Sequence, residues 1–247
     1  MSAPAGVLPG SGPPGFRPLV YDFSKQMLLW WARLWLRLSI EGRQHVPPTG
    51  PLLAIGNHCS YIDPPLLGVG IARPVRYLAQ QGLAKFPPLR WWLAAVGVSL
   101  IDRNAPSKDV LRALSTALEA GAVVGLFPEG TRSSDGRIGS FRNGVEFLVR
   151  RTGATVLPIG IEGAFAAYRR GMWVPRPRKC RVRIGAPWAS ERVLAPGGVE
   201  ALRREVAALA RAELRPEAAA QPPRETRVDH GPGPVPADPP PSAGGRA

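Results

Sequence analysis

Between residues 20 and 215, short apolar runs alternate with stretches whose apolar positions recur every three or four residues. The short runs, bounded by Gly, Pro and polar clusters, predict strands over 51–56, 75–80, 97–102, 122–127, 155–161 and 180–185. The intervening stretches predict helices over 22–40, 64–71, 87–95, 107–120, 142–152 and 199–214. Sets such as Leu111, Leu114 and Leu118, or Val199, Leu202, Val206 and Leu209, turn one helix face to a core. Ala122 to Phe127 is apolar throughout, as a strand covered on both faces requires. The alternation, with no internal repeat, predicts a single α/β domain: a mixed β-sheet flanked by helices.

The first helix has an unusual pattern. Met27-Leu-Leu-Trp-Trp-Ala-Arg-Leu-Trp-Leu-Arg-Leu is apolar on most sides, yet carries Lys25, Arg33 and Arg37, the last two four residues apart on one face. Trp30, Trp31 and Trp35 cannot all share one narrow buried face, which favours an amphipathic helix lying on a membrane surface, where indoles and cations both find partners. The competing reading is a helix docked on the sheet with its arginines reaching water. Phe86-Pro-Pro-Leu-Arg-Trp-Trp-Leu poses the same choice.

Composition narrows the picture in three ways. Residues 1–18 hold five prolines and four glycines and residues 216–247 hold nine prolines, so both ends read as flexible tails around a 20–215 domain. The formal net charge is +14, and residues 216–247 carry three arginines against four acids, so the positive excess belongs to the folded body. Such a body favours ligands bearing phosphate, whether nucleic acid, anionic lipid or a phosphorylated cofactor. Cys59 and Cys180 form neither a CxxC pair nor a cluster, which excludes a disulfide scaffold and a zinc knuckle and favours a cytosol-facing location. No segment approaches the roughly 20 consecutive apolar residues of a membrane-spanning helix, and the first residues do not read as a secretory signal.

Candidate chemistry is concentrated at two places. Of the three histidines, His230 lies in the tail and His45 in a polar stretch, so both read as solvated bystanders. His58 ends an apolar strand in Leu52-Leu-Ala-Ile-Gly-Asn-His-Cys-Ser-Tyr-Ile-Asp, and Asp63 follows five residues later. An imidazole titrating near pH 6.5 takes and returns protons at neutrality, and a carboxylate on its other nitrogen fixes the tautomer. The alternative is that Asp63 only caps the helix starting at Pro64. No GxSxG elbow is present, and Cys59 and Ser60 adjoin His58 in sequence and so point elsewhere, leaving an external hydroxyl as the group to be activated.

The second place is Gly125-Leu-Phe-Pro-Glu-Gly-Thr-Arg-Ser-Ser, where a buried strand runs into a turn bearing Glu129, Gly130 and Arg132. Strand ends are where α/β sheets bind ligands, and a guanidinium fork suits phosphate. Glu129 either aims that arginine or accepts a substrate hydroxyl. Arg103 follows another strand in Gly97-Val-Ser-Leu-Ile-Asp-Arg and can converge on the same anion, although Asp102 beside it permits a plain ion pair. Walker and dinucleotide fingerprints are absent, and His58, Cys59 and Asp63 crowd one turn without a distant ligand set for a metal.

Asn57-His58 through Asp63 resembles the NHx4D signature of the glycerolipid acyltransferases of the PlsC-like group, typified by 1-acylglycerol-3-phosphate acyltransferase. Phe127-Pro-Glu-Gly-Thr-Arg-Ser133 matches the more specific FPEGTRS block, Gly97 to Arg103 resembles the second block and Val156-Leu-Pro-Ile159 the fourth, all in the family's order. The resemblance covers roughly 45–190 and implies acyl transfer from an acyl-CoA or acyl-carrier-protein thioester to the free hydroxyl of a lysophospholipid, 1-acylglycerol-3-phosphate first, yielding phosphatidic acid. It makes His58 the general base and Asp63 its orienter, and it assigns Arg103, Glu129, Gly130, Thr131 and Arg132 to the acceptor's phosphate. It implies no metal and no cofactor beyond the thioester co-substrate, a peripheral place on the cytoplasmic face of the membrane, and no nucleic-acid partner. The second block lacks the aromatic that many members carry near its arginine, so another lysolipid, including a lyso-amino-acid lipid, is the alternative acceptor; a non-catalytic module binding anionic membrane or nucleic acid is the alternative of another class. Oxyanion donors are expected among the backbone amides of the 57–65 turn.

Overall fold

The computed structural model describes residues 15–80, 86–101 and 107–216. Their strands are β1 (Ser39–Glu41), β2 (Leu52–Gly56), β3 (Val75–Gln80), β4 (Val98–Ile101), β5 (Val123–Leu126), β6 (Thr155–Glu162) and β7 (Arg181–Ile184). They form one sheet in the order β1-β7-β6-β2-β5-β3-β4, in which β6 and β7 run antiparallel and every other pair runs parallel. The helices are α1 (Pro18–Trp35), α2 (Asp63–Gly70), α3 (Pro87–Ala95), α4 (Ser107–Glu119), α5 (Gly144–Thr152), α6 (Ala164–Ala167), α7 (Ser190–Leu194) and α8 (Gly198–Ala210). Proline stands in the first turn of α1, α2 and α3, where its missing N–H costs nothing and its fixed φ suits the helix.

Strand periodicity sorts the core into two layers. Leu52 and Ala54 of β2 with Leu157, Ile159 and Ile161 of β6 pack under α1 and α2. Leu53 and Ile55, one residue out of phase, pack with Val156 under α4, α5 and α8. Burial of each such leucine, isoleucine or valine contributes about 1.5–3 kcal/mol, and it fixes the register of the central strands because a one-residue slip exchanges the two faces. Pro158 sits inside β6, a position that normally needs its N–H. Its carbonyl accepts from Gly185, where the β6–β7 ladder has just ended, so on that side the missing donor has no ladder partner to serve.

The first helix differs from its predicted span of 22–40. It runs from Pro18 to Trp35, and Arg37 then takes a left-handed φ of 44°. That bend delivers Leu36 and Leu38 into the core and hands the chain to β1, pinned by Cys180 N–H to Leu36 O and Ser39 N–H to Cys180 O. Arg33 and Arg37 therefore do not share a helical face, and Lys25 donates to the carbonyls of Ile71 and Ala72 at the end of α2. The basic stripe expected on α1 is reduced to Arg33. The exposed apolar stripe is real: Leu19, Phe23, Met27, Trp30 and Leu34 fall within an arc of about 80° at 100° per residue, opposite buried Tyr21 and Ala32. Among the described residues no helix is long and apolar enough to cross a membrane.

Candidate active site

β2 and β5 are adjacent and parallel, so the loops that follow them leave the sheet at the same edge. Asn57 secures the first loop. Its side-chain amide donates to Ile161 O at 3.1 Å and its carbonyl accepts Ile161 N–H at 2.8 Å, extending the β2–β6 ladder one step after the backbone has turned away. His58 follows, and its Nδ1 lies 3.0 Å from Asp63 Oδ2. The same carboxylate oxygen accepts the N–H groups of Cys59 at 2.7 Å and Ser60 at 2.6 Å. Asp63 opens α2 but makes no capping bond to that helix; it closes the preceding turn on itself and holds the imidazole. Its side chain is fully buried and that of His58 is 20% exposed. Burial pushes the Asp63 carboxyl above the ordinary range, opposed by the His58 contact and the two N–H donors. With Nδ1 on the carboxylate, Nε2 is the nitrogen free to take a proton.

The second loop grips the first. Glu129 is buried, and its two oxygens accept His58 N–H at 2.7 Å and Gly139 N–H at 3.0 Å. Ser133 N–H donates to His58 O at 2.7 Å, and the Phe127 ring stacks on the imidazole at 4.5 Å. Burial raises the Glu129 carboxyl to about 7 against the pull of the two N–H groups. Both Glu129 oxygens are thus taken up by the main chain, and this carboxylate neither aims Arg132 nor faces a substrate hydroxyl. The amides of His58, Cys59 and Ser60 are equally committed, so those three are not oxyanion donors.

Arg132 is arranged differently. Its guanidinium stacks on the Tyr61 ring at 3.6 Å, and its Nη1 is buried with no hydrogen-bond partner among the described residues. Tyr61 in turn leans on Tyr168 at 5.5 Å. Gly130 adopts a φ of 70°, and a Cβ there would stand 2.6 Å from Arg142 Nε, so the glycine makes room for a second guanidinium beside the turn. Thr131 is exposed and Arg103 lies outside the described residues. Tyr61, Tyr168 and Arg142 carry no mark of the site in the sequence; Arg142 stands beside the turn, where its N–H donates to Pro128 O.

Neighbouring nucleophiles are disarmed. Cys59 is buried, and desolvation next to Asp63 and Glu129 drives its thiol far above the usual range. Ser60 Oγ donates to Tyr168 O. His45 is not a free bystander, since its Nδ1 meets Ile184 O at 2.8 Å and ties its turn to β7; His230 lies outside the described residues. Among the described residues no group of three His, Cys, Asp or Glu side chains is placed to hold a metal.

Comparison with known proteins bears on this arrangement. Residues 37–162, which contain both loops, match the model of the Acyltransferase family. The chain belongs to that family. It is 31% identical over 155 residues to the 1-acyl-sn-glycerol-3-phosphate acyltransferase LPAT1, chloroplastic, of Arabidopsis thaliana, covering 60% of this chain and 43% of the relative. It is 32% identical over 180 residues to the alpha 1-acyl-sn-glycerol-3-phosphate acyltransferase of Mus musculus, covering 69% of this chain and 61% of the relative. The chain thus spans from about two fifths to three fifths of the length of these curated relatives. In fold, this member of the Acyltransferase family is similar to the crystal structure of the 1-acyl-sn-glycerophosphate acyltransferase PlsC from Thermotoga maritima, with a TM-score of 0.60, 26% identity and coverage of 78% of this chain and 76% of that one.

Proposed function

We propose that this acyltransferase-family chain moves an acyl group from an acyl-CoA or acyl-carrier-protein thioester to the free hydroxyl of a lysophospholipid, 1-acylglycerol-3-phosphate foremost, giving phosphatidic acid. One observation carries the reading: a finished His58–Asp63 pair is joined, through Ser133 N–H to His58 O, to the turn that carries Arg132, whose buried Nη1 lacks a partner among the described residues. His58 Nε2 takes the acceptor's hydroxyl proton as the alkoxide oxygen attacks the thioester carbonyl; the C–S bond then breaks and the proton passes to the leaving thiolate. Arg132 supplies the charge-assisted bond to the acceptor's phosphate, with Arg142 and Thr131 beside the same turn. Within this proposal Glu129 is a positioning residue, because it acts on the His58 main chain. Proton transfer runs on the chain's own residues, so activity is expected to survive EDTA.

We place the protein on the cytosol-facing surface of a membrane, held by the exposed stripe of α1, a reading supported by that stripe, by two reduced buried cysteines and by the positive body. The acyl-transfer test is thiol release by the purified protein with a panel of lysophospholipids and acyl-CoAs of several lengths. Acceptor-dependent release, greatest with 1-acylglycerol-3-phosphate, is expected; release with no acceptor in the panel above the rate of thioester hydrolysis overturns the reading.

A further inference from the structure

The segment 169–179, between α6 and β7, stands apart from the rest of the surface. It carries Arg169, Arg170, Arg176, Arg178 and Lys179, all exposed, and no acid occurs from Gly163 to Ser190. None of the five is paired with a carboxylate among the described residues, whereas Arg181 and Arg183 just beyond them are bound to Glu162. At its tip Trp173 is 95% exposed and Val174 66% exposed. An almost fully exposed indole in a loop with four arginines and a lysine, none paired with a carboxylate among the described residues, is poorly served by water alone and well served by the headgroup region of an anionic bilayer.

Its attachments say where it faces. Pro175 O accepts Trp35 Nε1–H at 2.9 Å, which joins the tip to the C-terminal end of α1. Arg176 N–H returns to Ala167 O, so the segment is closed into a loop. Tyr168, at its base, packs on Tyr61 beneath Arg132 and accepts from Ser60. The loop therefore runs from the end of α1 to the Tyr61–Arg132 side of the candidate site.

We infer that the Arg169–Lys179 loop is a second membrane contact, selective for anionic lipid headgroups, that seats the Tyr61–Arg132 side of the candidate site on the bilayer where acceptor lipids lie. The inference rests on the membrane placement proposed above and adds to α1 a surface with a different chemistry: α1 supplies apolar depth, the loop supplies charge recognition. Two sets of variants separate them, with vesicle co-sedimentation at low salt as the readout and neither substrate present. Wild-type protein is expected to partition better onto phosphatidylcholine vesicles containing phosphatidylglycerol than onto phosphatidylcholine alone. Arg170→Gln with Arg178→Gln is expected to lower partitioning onto the mixed vesicles by roughly thirtyfold, about fivefold per cation, while leaving the weak binding to neutral vesicles unchanged. Trp30→Ser with Leu34→Ser is expected to lower both. Equal partitioning of the wild type on the two vesicle types, undiminished binding of the double glutamine variant to mixed vesicles, or tighter binding of a short RNA duplex than of mixed vesicles overturns the loop assignment. An α1 variant that binds neutral vesicles as the wild type does overturns the α1 reading and not this one. Thiol release, measured apart, tests acyl transfer independently of both.

Discussion

The two halves of the cleft edge are built on opposite terms. Around His58 every polar group except the reacting Nε2 is spoken for: Nδ1 by Asp63, the main-chain N–H by Glu129 and the carbonyl by Ser133. Around Arg132 the guanidinium is supported by a ring face, and one buried nitrogen is unpaired among the described residues. A base must be ready before substrate arrives, and holding it in place beforehand leaves little reorganisation for the reaction. An anion site gains more from a donor whose desolvation has already been met by the fold and whose partner comes only with the ligand.

The contrast makes substitutions on the two sides behave differently. His58→Ala should have the largest effect, lowering acyl transfer by about 10²–10⁴-fold, read as thiol release, with the melting temperature little changed. Glu129→Ala leaves two buried N–H groups without acceptors and should cost about 2–3 kcal/mol of stability in urea unfolding, along with turnover. Arg132→Ala should raise the acceptor KM by about 10–100-fold, with stability unchanged or slightly higher, because it removes an unsatisfied nitrogen and not a satisfied one. Should Arg132→Ala destabilise the fold as much as Glu129→Ala, the distinction between the halves is gone. Tyr61→Leu, which takes away the ring beneath Arg132, should raise the same KM only severalfold. Smallest of all, Arg137→Gln breaks an exposed pair with Glu213 and should shift stability by less than about 1 kcal/mol.

Acidity offers a further probe of the completed half. The Glu129 carboxyl is raised from an ordinary 4.5 to about 7, so the folded form keeps its proton over a range in which the unfolded chain has lost it. Stability should therefore decline as pH rises from about 4.5 to about 7, and the fully buried Asp63 pushes the same way. Urea titrations across that window should show a shallower slope for Glu129→Gln than for the wild type; an identical slope removes Glu129 as its source.

The sequence was more legible for the sheet than for the site's internal wiring. Six strands were predicted within a residue or so of where they lie, since buried runs between breakers are a strong local signal. β1 was absorbed into the first helix because Leu36, Arg37 and Leu38 continue its apolar pattern and no Gly or Pro marks the bend that the left-handed Arg37 makes. Its partner, β7, lies far along the chain, and only tertiary pairing turns those residues extended. The placement of His58 and Asp63 in one turn was readable because the two are close in sequence. The grip of Glu129 was not, since its partners are main-chain N–H groups that leave no mark on residue identity. Lys25 likewise reads as part of a cationic stripe until the end of α2 is seen beside it.

The bond from Ser133 to His58 O has one more consequence. Because a backbone bond couples the two loops, the spacing of their main chains is held by peptide geometry, whatever rotamers their side chains adopt. Under the proposed reaction, a change of acceptor would therefore come from the side chains that project between the loops, with their main-chain spacing kept.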